Sequence, residues 1–263
     1  MRRAATALAG LAMMAALPAA AHTGYILPDS FDYKSCSGLG AIATFSDYFP
    51  APEIVLSVPE FHLTGPTGPV AFDSVRADHA MSRLEASLDV PGTYRITTGA
   101  RLGRKGKVAL LDGAYVRLEG SESLPGGTRI LSSQTATVSD TYFSCGGAET
   151  AIDTAPPGQL GVIPLTEDDA PDDMRAFRVT FDGAGFAPDE AYLIPAYASF
   201  AGAHDGQRVT VAEDGVLRLE GLVPGVYVLL ARHIAPAPNG AETDVRSHST
   251  TVTFAVGGSH AEH

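Results

Sequence analysis

The sequence predicts an all-β protein built as two immunoglobulin-like β-sandwich domains in tandem, and three observations carry that expectation. Helical periodicity is scarce, whereas short alternating, β-branched-rich segments recur between Gly, Pro and Asp turns: "PEIVLSV", "TYRITT", "KVALL", "AFRVTF", "QRVTVA", "VLRLEG", "GVYVLLARH" and "STTVTFAV". The chain echoes itself, since "LDVPGTYRITT" (88–98) and "GLVPGVYVLLA" (221–231) share Val-Pro-Gly-x-Tyr ahead of a strand. Each echo puts a tyrosine, Tyr94 or Tyr227, at a strand corner. A packed ring with its hydroxyl bonded back to the backbone is a habit of such sandwiches.

The elements follow in chain order. Met1-Arg2-Arg3, an apolar run from Ala4 to Leu17, Pro18 and Ala19-Ala20-Ala21 read as a secretory signal over residues 1–21. Its apolar run is too short for a permanent span, and no later stretch reaches the roughly 20 apolar residues that a membrane helix needs. The first cysteine, Cys36, lies too far downstream to carry a lipid at the start of the mature chain, so a free periplasmic protein without a transmembrane segment is expected. The first sandwich is assigned to residues 22–150. Within it, Pro91-Gly92 pre-sets a type II turn, as Pro224-Gly225 does in the second half. "GARLGRKGKV" (99–108) reads as a basic loop tip. "GGAETAIDTAPPGQLG" (146–161) marks the boundary, and the second sandwich, 160–256, opens on "VIPLT". Asp182-Gly183 and Asp214-Gly215 sit between alternating runs as tight hairpin turns. "EDDAPDDM" (167–174) lacks the ligand spacing and glycine of an EF-hand loop and reads as solvated. Residues 257–263, a Gly/Ser-containing tail with His260 and His263, are expected to be disordered.

Cysteine and charge narrow the class. In an oxidising compartment an isolated pair such as Cys36 and Cys145 is expected to form a disulfide; a two-thiolate metal site would want further cysteines or a CxxC spacing, and neither is present. Formal charge is −12, and loss of Arg2 and Arg3 with the signal takes it to −14. Such a surface is unsuited to phosphate backbones, so no nucleic-acid partner is expected.

The residue left at the start of the mature chain carries the sharpest chemistry. After cleavage His22 would hold an α-amino group and an imidazole together, and a metal can displace the amine proton near neutral pH. One further histidine would complete a planar, nitrogen-rich set suited to Cu(II) or Ni(II). His62 is the next choice as a ligand: it ends a strand in the same half, on the side opposite Phe61 and Leu63. His79 follows Asp78 in a polar, hairpin-like stretch. His233 and His248, near the ends of the last two strands, can come together across adjacent strands; His204 is a further histidine of this half. Asp47, Asp78 and Asp244 offer oxygen donors. No Gly-x-Ser-x-Gly elbow, His-Glu-x-x-His, P-loop or CxxC is present, so no catalytic set emerges.

Several stretches look familiar together: the signal ending in Ala-His, "HTGYILPDS", the "GPTG" turn, "PGTYRI", "PLT", "FRVTFDG", "VPGVYVLLARH" and the closing "VRSHSTTVTFAV". On these the chain resembles the DUF4198 family of exported proteins, related to periplasmic NikM-type components linked to nickel and cobalt transport. The resemblance implies a periplasmic β-sandwich that handles a transition metal, often beside outer-membrane transporters. The chain departs from the pattern in "FSDYFPAPE", where Asp47-Tyr48 stands in place of a histidine before "FP".

The sequence is therefore read as an exported transition-metal-binding accessory protein for nickel or cobalt, or copper or iron, with a binding rather than an enzymatic role. Its expected cofactor is a transition metal ion, Ni or Cu first, and its expected partner an inner- or outer-membrane metal transporter. A metal-free carbohydrate-binding or adhesion module pair is the alternative. A copper oxygenase using an N-terminal histidine brace is a third, set against the lack of Trp for a flat substrate face.

Overall fold

A computed structural model describes residues 22–58, 60–118, 123–147, 159–167, 171–196 and 206–257. The expected signal segment 1–21, most of the expected boundary stretch, part of the acidic stretch 167–174, His204 and the tail from 258 lie outside the described residues. The strands in chain order are β1 (Thr23–Pro28), β2 (Asp32–Tyr33), β3 (Leu39–Ser46), β4 (Ile54–Val55), β5 (His62–Gly65), β6 (Gly68–Val70), β7 (Ser74–Ala77), β8 (Ser82–Ala86), β9 (Gly92–Thr97) and β10 (Arg101–Leu111). They continue as β11 (Ala114–Arg117), β12 (Arg129–Cys145), β13 (Leu160–Leu165), β14 (Arg175–Phe181), β15 (Ala184–Gly185), β16 (Glu190–Pro195), β17 (Gln207–Arg208), β18 (Val216–Leu219), β19 (Gly225–Pro236) and β20 (Val245–Val256). The fold is all-β, as expected. The basic stretch 99–108 is not a loop tip: most of it is β10, hydrogen-bonded to both β11 and β12. Arg104, Lys105, Gly106 and Lys107 are exposed one after another, so both faces of this part of the strand meet solvent and its charges stay in water while the backbone pairs.

Three sheets form two sandwiches around one shared layer. A small sheet, β1-β3-β8-β7 with β4 on β3, covers one part of an eleven-stranded sheet ordered β17-β16-β19-β20-β12-β9-β5-β6, with β10, β11 and β2 attached at β12 or β10. A four-stranded sheet of β13, β14, β15 and β18 covers the other part. The join is β12, which runs parallel to β20 from Ser133 opposite Val245 to Thr141 opposite Thr253. Its neighbouring residues Tyr142 and Phe143 belong to different cores: Phe143 packs with Leu63, Tyr94, Ile96 and Leu84, and Tyr142 with Phe177, Tyr227, Leu229 and Phe254. Adjacent strand residues point to opposite faces, so the two outer sheets lie on opposite faces of the central one. Val228 and Leu229 of β19 repeat the division, Val228 meeting Tyr25 and Phe49 while Leu229 enters the second core.

The internal echo is structural. Tyr94 donates its hydroxyl to the Val90 carbonyl at 2.7 Å, and Tyr227 donates to that of Val223 at 2.5 Å. Each ring stacks on a phenylalanine near the end of a paired long strand, Phe143 of β12 at 5.5 Å and Phe254 of β20 at 5.4 Å. Gly92 and Gly225 do hold positive φ, 147° and 157°, but as first strand residues rather than as the third position of a type II turn near 80°. Asp182-Gly183 forms the expected two-residue hairpin, with φ of 53° and 79°, between paired Phe181 and Ala184. Cys36 and Cys145 are disulfide-bonded with Cα atoms 5.3 Å apart, which ties the segment before β3 to the end of β12.

Candidate metal centre

The start of β1, the end of β3 and the approach to β4 meet at one corner of the small sheet. Thr23 pairs with Ser46 and Phe45 pairs with Ile54, so antiparallel register alone brings His22, Asp47 and Glu53 to the same end. The loop between them is pinned: Tyr48 N donates to Ser46 Oγ at 2.7 Å, Ala51 N to Tyr48 O at 2.7 Å, and Glu53 N to Phe45 O at 3.3 Å. Phe49 is buried and meets the Tyr25 ring edge-on at 4.9 Å, which anchors the loop from below. One donor atom each from His22, Asp47 and Glu53 lies within 4.8 Å of the others.

Two contacts define this cluster. Glu53 Oε2 accepts the Asp47 backbone N–H at 2.7 Å, which fixes the Glu53 carboxylate against the loop. Asp47 Oδ1 stands 3.1 Å from His22 Nδ1. That oxygen is shielded from solvent, yet the contact is not aligned as a hydrogen bond. An imidazole nitrogen and a carboxylate oxygen at this spacing without a proton aligned between them match two donors of one cation. Bonds of about 2.0–2.2 Å at right angles put two ligand atoms about 3 Å apart. The His22 side chain is 42% exposed, so an ion has a route in from solvent. Beneath the corner, the Tyr25 hydroxyl is buried without a hydrogen-bond partner, and its pKa is raised first by burial and then by the Glu53 charge.

The other histidines named from the sequence fall in three places. His62 starts β5 opposite Thr97 in the central sheet; its side chain is exposed while Phe61 and Leu63 are buried, the orientation expected, and it lies outside the cluster. His79 is exposed in the turn between β7 and β8, its backbone N–H on Asp78 Oδ1. His233 and His248 are direct register partners across β19 and β20. Both rings stand edge-to-face against Phe181 at 5.1 Å, and Phe186 lies 4.4 Å from His233. His233 Nδ1 is 3.2 Å from Asp189 Oδ1, while Asp189 Oδ2 accepts the Ile234 N–H at 2.8 Å. Burial is the main cause that lowers the His248 pKa to about 4, with His233 and Arg246 adding to it and Asp182 opposing. Burial alone would raise Asp189, but the His233 and Ile234 hydrogen bonds hold it below the usual carboxylate range. Among the oxygen donors, Asp47 joins the cluster, whereas Asp244 Oδ2 is engaged by the backbone and hydroxyl of Ser132. Glu53 was not singled out from the sequence. Its signal was the loop length, since a chain that turns back within "SDYFPAPE" returns its last residue to the first.

With this geometry in view, the chain can be placed among known proteins. Fold and corner define a tandem immunoglobulin-like β-sandwich protein with a donor cluster at the start of its first strand. The chain belongs to the DUF4198 family, described as a domain of unknown function, whose model matches residues 19–235. No curated protein matches significantly. Similar solved structures include a DUF4785 family protein from Legionella pneumophila, 14% identical over 78% of this chain and 50% of that one, with a TM-score of 0.24. This chain thus spans half the length of the Legionella protein. The D0-D1 domain of intimin is 10% identical over 88% of this chain and 97% of its own, with a TM-score of 0.24. Three amino-terminal domains of the bacteriophage RB49 Hoc capsid protein are 11% identical over 90% and 100%, with a TM-score of 0.22. Scores this low carry no argument about function. Among the described residues no helix is long and apolar enough to cross a membrane.

Proposed function

We propose that this protein is an exported, periplasmic metal-binding accessory protein whose primary site is His22, Asp47 and Glu53, completed by the α-amine that signal cleavage would create on His22. The observation that carries the reading is the unaligned 3.1 Å contact between His22 Nδ1 and the shielded Asp47 Oδ1, with Glu53 in reach. Two nitrogens on one residue and two carboxylate oxygens make an N2O2 set, which suits Cu(II) or Ni(II) in tetragonal geometry better than an all-oxygen set would. An exposed rim leaves positions for exchange, which fits passing an ion to or from a membrane transporter rather than locking it into the fold. Asp47 stands where a further histidine was expected, so an oxygen donor replaces a nitrogen and Co(II) or Fe(II) are also accommodated.

Binding should be compared between protein with His22 as its first residue and protein with one methionine added before it. The free amine is expected to raise Ni(II) or Cu(II) affinity by tenfold or more, and His22→Ala to lose at least as much, about 1.4 kcal/mol, without unfolding. Equal affinity in all three proteins would place the metal elsewhere.

A further inference from the structure

We infer that His233 and His248 form a second metal site, a two-imidazole clamp for a soft monovalent cation of the Cu(I) class, on the face of the central sheet opposite His22. His233 shares a face with Tyr227, Leu229 and Ala231, and His248 with Val252 and Phe254, all in the second core. The first strand lies on the other face, where Thr251 Oγ1 donates to the Gly24 carbonyl at 2.6 Å. The two sites are separated by the sheet, and this inference does not depend on the proposed His22 centre. His248 also lies beyond the span 19–235 that the family model matches.

Four features select the cation. The two imidazoles are cross-strand partners and both touch one Phe181 ring, so their separation is set by the sheet and needs no loop closure. Asp189 on His233 Nδ1 makes that nitrogen the protonated one and leaves Nε2 with the lone pair, as carboxylates behind metal-bound histidines do. Asp189 is committed to His233 and to the Ile234 amide, and among the described residues no group of three donors within 4.8 Å of one another includes this pair. A divalent ion stripped of water would be badly under-coordinated between two neutral nitrogens, whereas Cu(I), with a filled d shell and a single charge, accepts two-coordination by imidazole. Phe181 and Phe186 supply an apolar cover that disfavours a strongly hydrated cation.

The test uses the full mature protein under anaerobic, reducing conditions, titrated with Cu(I) against a chromophoric chelator. His233→Asn and His248→Asn are each expected to weaken binding at this site by tenfold or more, and His22→Ala to leave it unchanged. On the wild-type protein, one equivalent of Cu(I) should shift the imidazole nitrogen resonances of His233 and His248 together, a readout that stands even if a variant fails to fold. Wild-type affinity in both variants, or resonance shifts confined to other histidines, would overturn the site. Equal perturbation by Zn(II) would overturn the choice of a soft monovalent cation.

Discussion

Asp47 and His248 show opposite uses of burial by single side chains. Asp47 keeps a shielded oxygen beside an exposed imidazole, so Asp47→Asn should preserve the shape of the corner while removing the charge that would face a cation. Ni(II) or Cu(II) affinity is expected to fall tenfold or more at unchanged thermal stability; calorimetric titration showing no change would remove Asp47 from the site. His248 instead pays for its position with its proton. Its pKa falls from 6.5 to about 4 because its charged form is disfavoured in the folded protein. Between those values the unfolded chain binds a proton that the folded one refuses, so stability declines as pH drops from 6.5 and the loss is complete near pH 4. The whole loss is about 3 kcal/mol. His248→Gln should flatten the pH dependence of urea unfolding across that window, and parallel curves for variant and parent would show that the imidazole is not held neutral.

At the scale of elements, each sandwich hangs on a corner of five residues, 90–94 and 223–227. Tyr94→Phe and Tyr227→Phe keep the stacked ring and lose the hydroxyl's bond to the Val90 or Val223 carbonyl, Tyr94 giving up the 3.4 Å bond from the Val90 N–H as well, so each should cost about 1 kcal/mol or more in chemical unfolding. Gly146→Ala or Gly257→Ala should cost more. Both hold positive φ, 68° and 65°, and an added Cβ would come within 2.9 Å of Pro91 or 2.8 Å of Pro224. These corners were legible because Val-Pro-Gly-x-Tyr is a local pattern that fixes a local shape. The matching strand ends "FSCGG" and "FAVGG" were equally present in the sequence and extend the echo to the glycines. The disulfide was legible from the count, an isolated pair with no further cysteine or CxxC spacing to suggest a metal. What could not be read was register. His22, Asp47 and Glu53 converge because Thr23 lies opposite Ser46 and Phe45 opposite Ile54, and a shift of one residue would turn these side chains to the other face. The stretch 99–108 was misjudged for a related reason: its charges look like a loop, and only the partner strand β12 shows a paired backbone whose residues 104–107 stay in solvent on both faces.

The whole molecule is less divisible than its two echoes suggest. The long strand β12 lends Phe143 to one core and Tyr142 to the other, and its parallel ladder with β20 makes the central sheet continuous across both sandwiches. Separating the halves would expose that ladder along most of β12, together with the Tyr25–Phe49–Val228 contact between β1 and β19. An exposed strand edge of this length invites pairing with other chains. The Cys36–Cys145 bond closes a separation of 109 residues onto the same strand and adds up to about 4–5 kcal/mol on the chain-entropy account. The oxidised protein should therefore unfold in one transition, with calorimetric and van't Hoff enthalpies equal. Reduction should lower the midpoint of that transition rather than release the first sandwich alone. A fragment ending at Gly147 should aggregate or stay unfolded, because its last strand would carry the unpaired edge that β20 covers. Two resolved transitions in the intact protein, or a monomeric and cooperatively folded 22–147 fragment, would show that the shared sheet joins two units that are stable without each other.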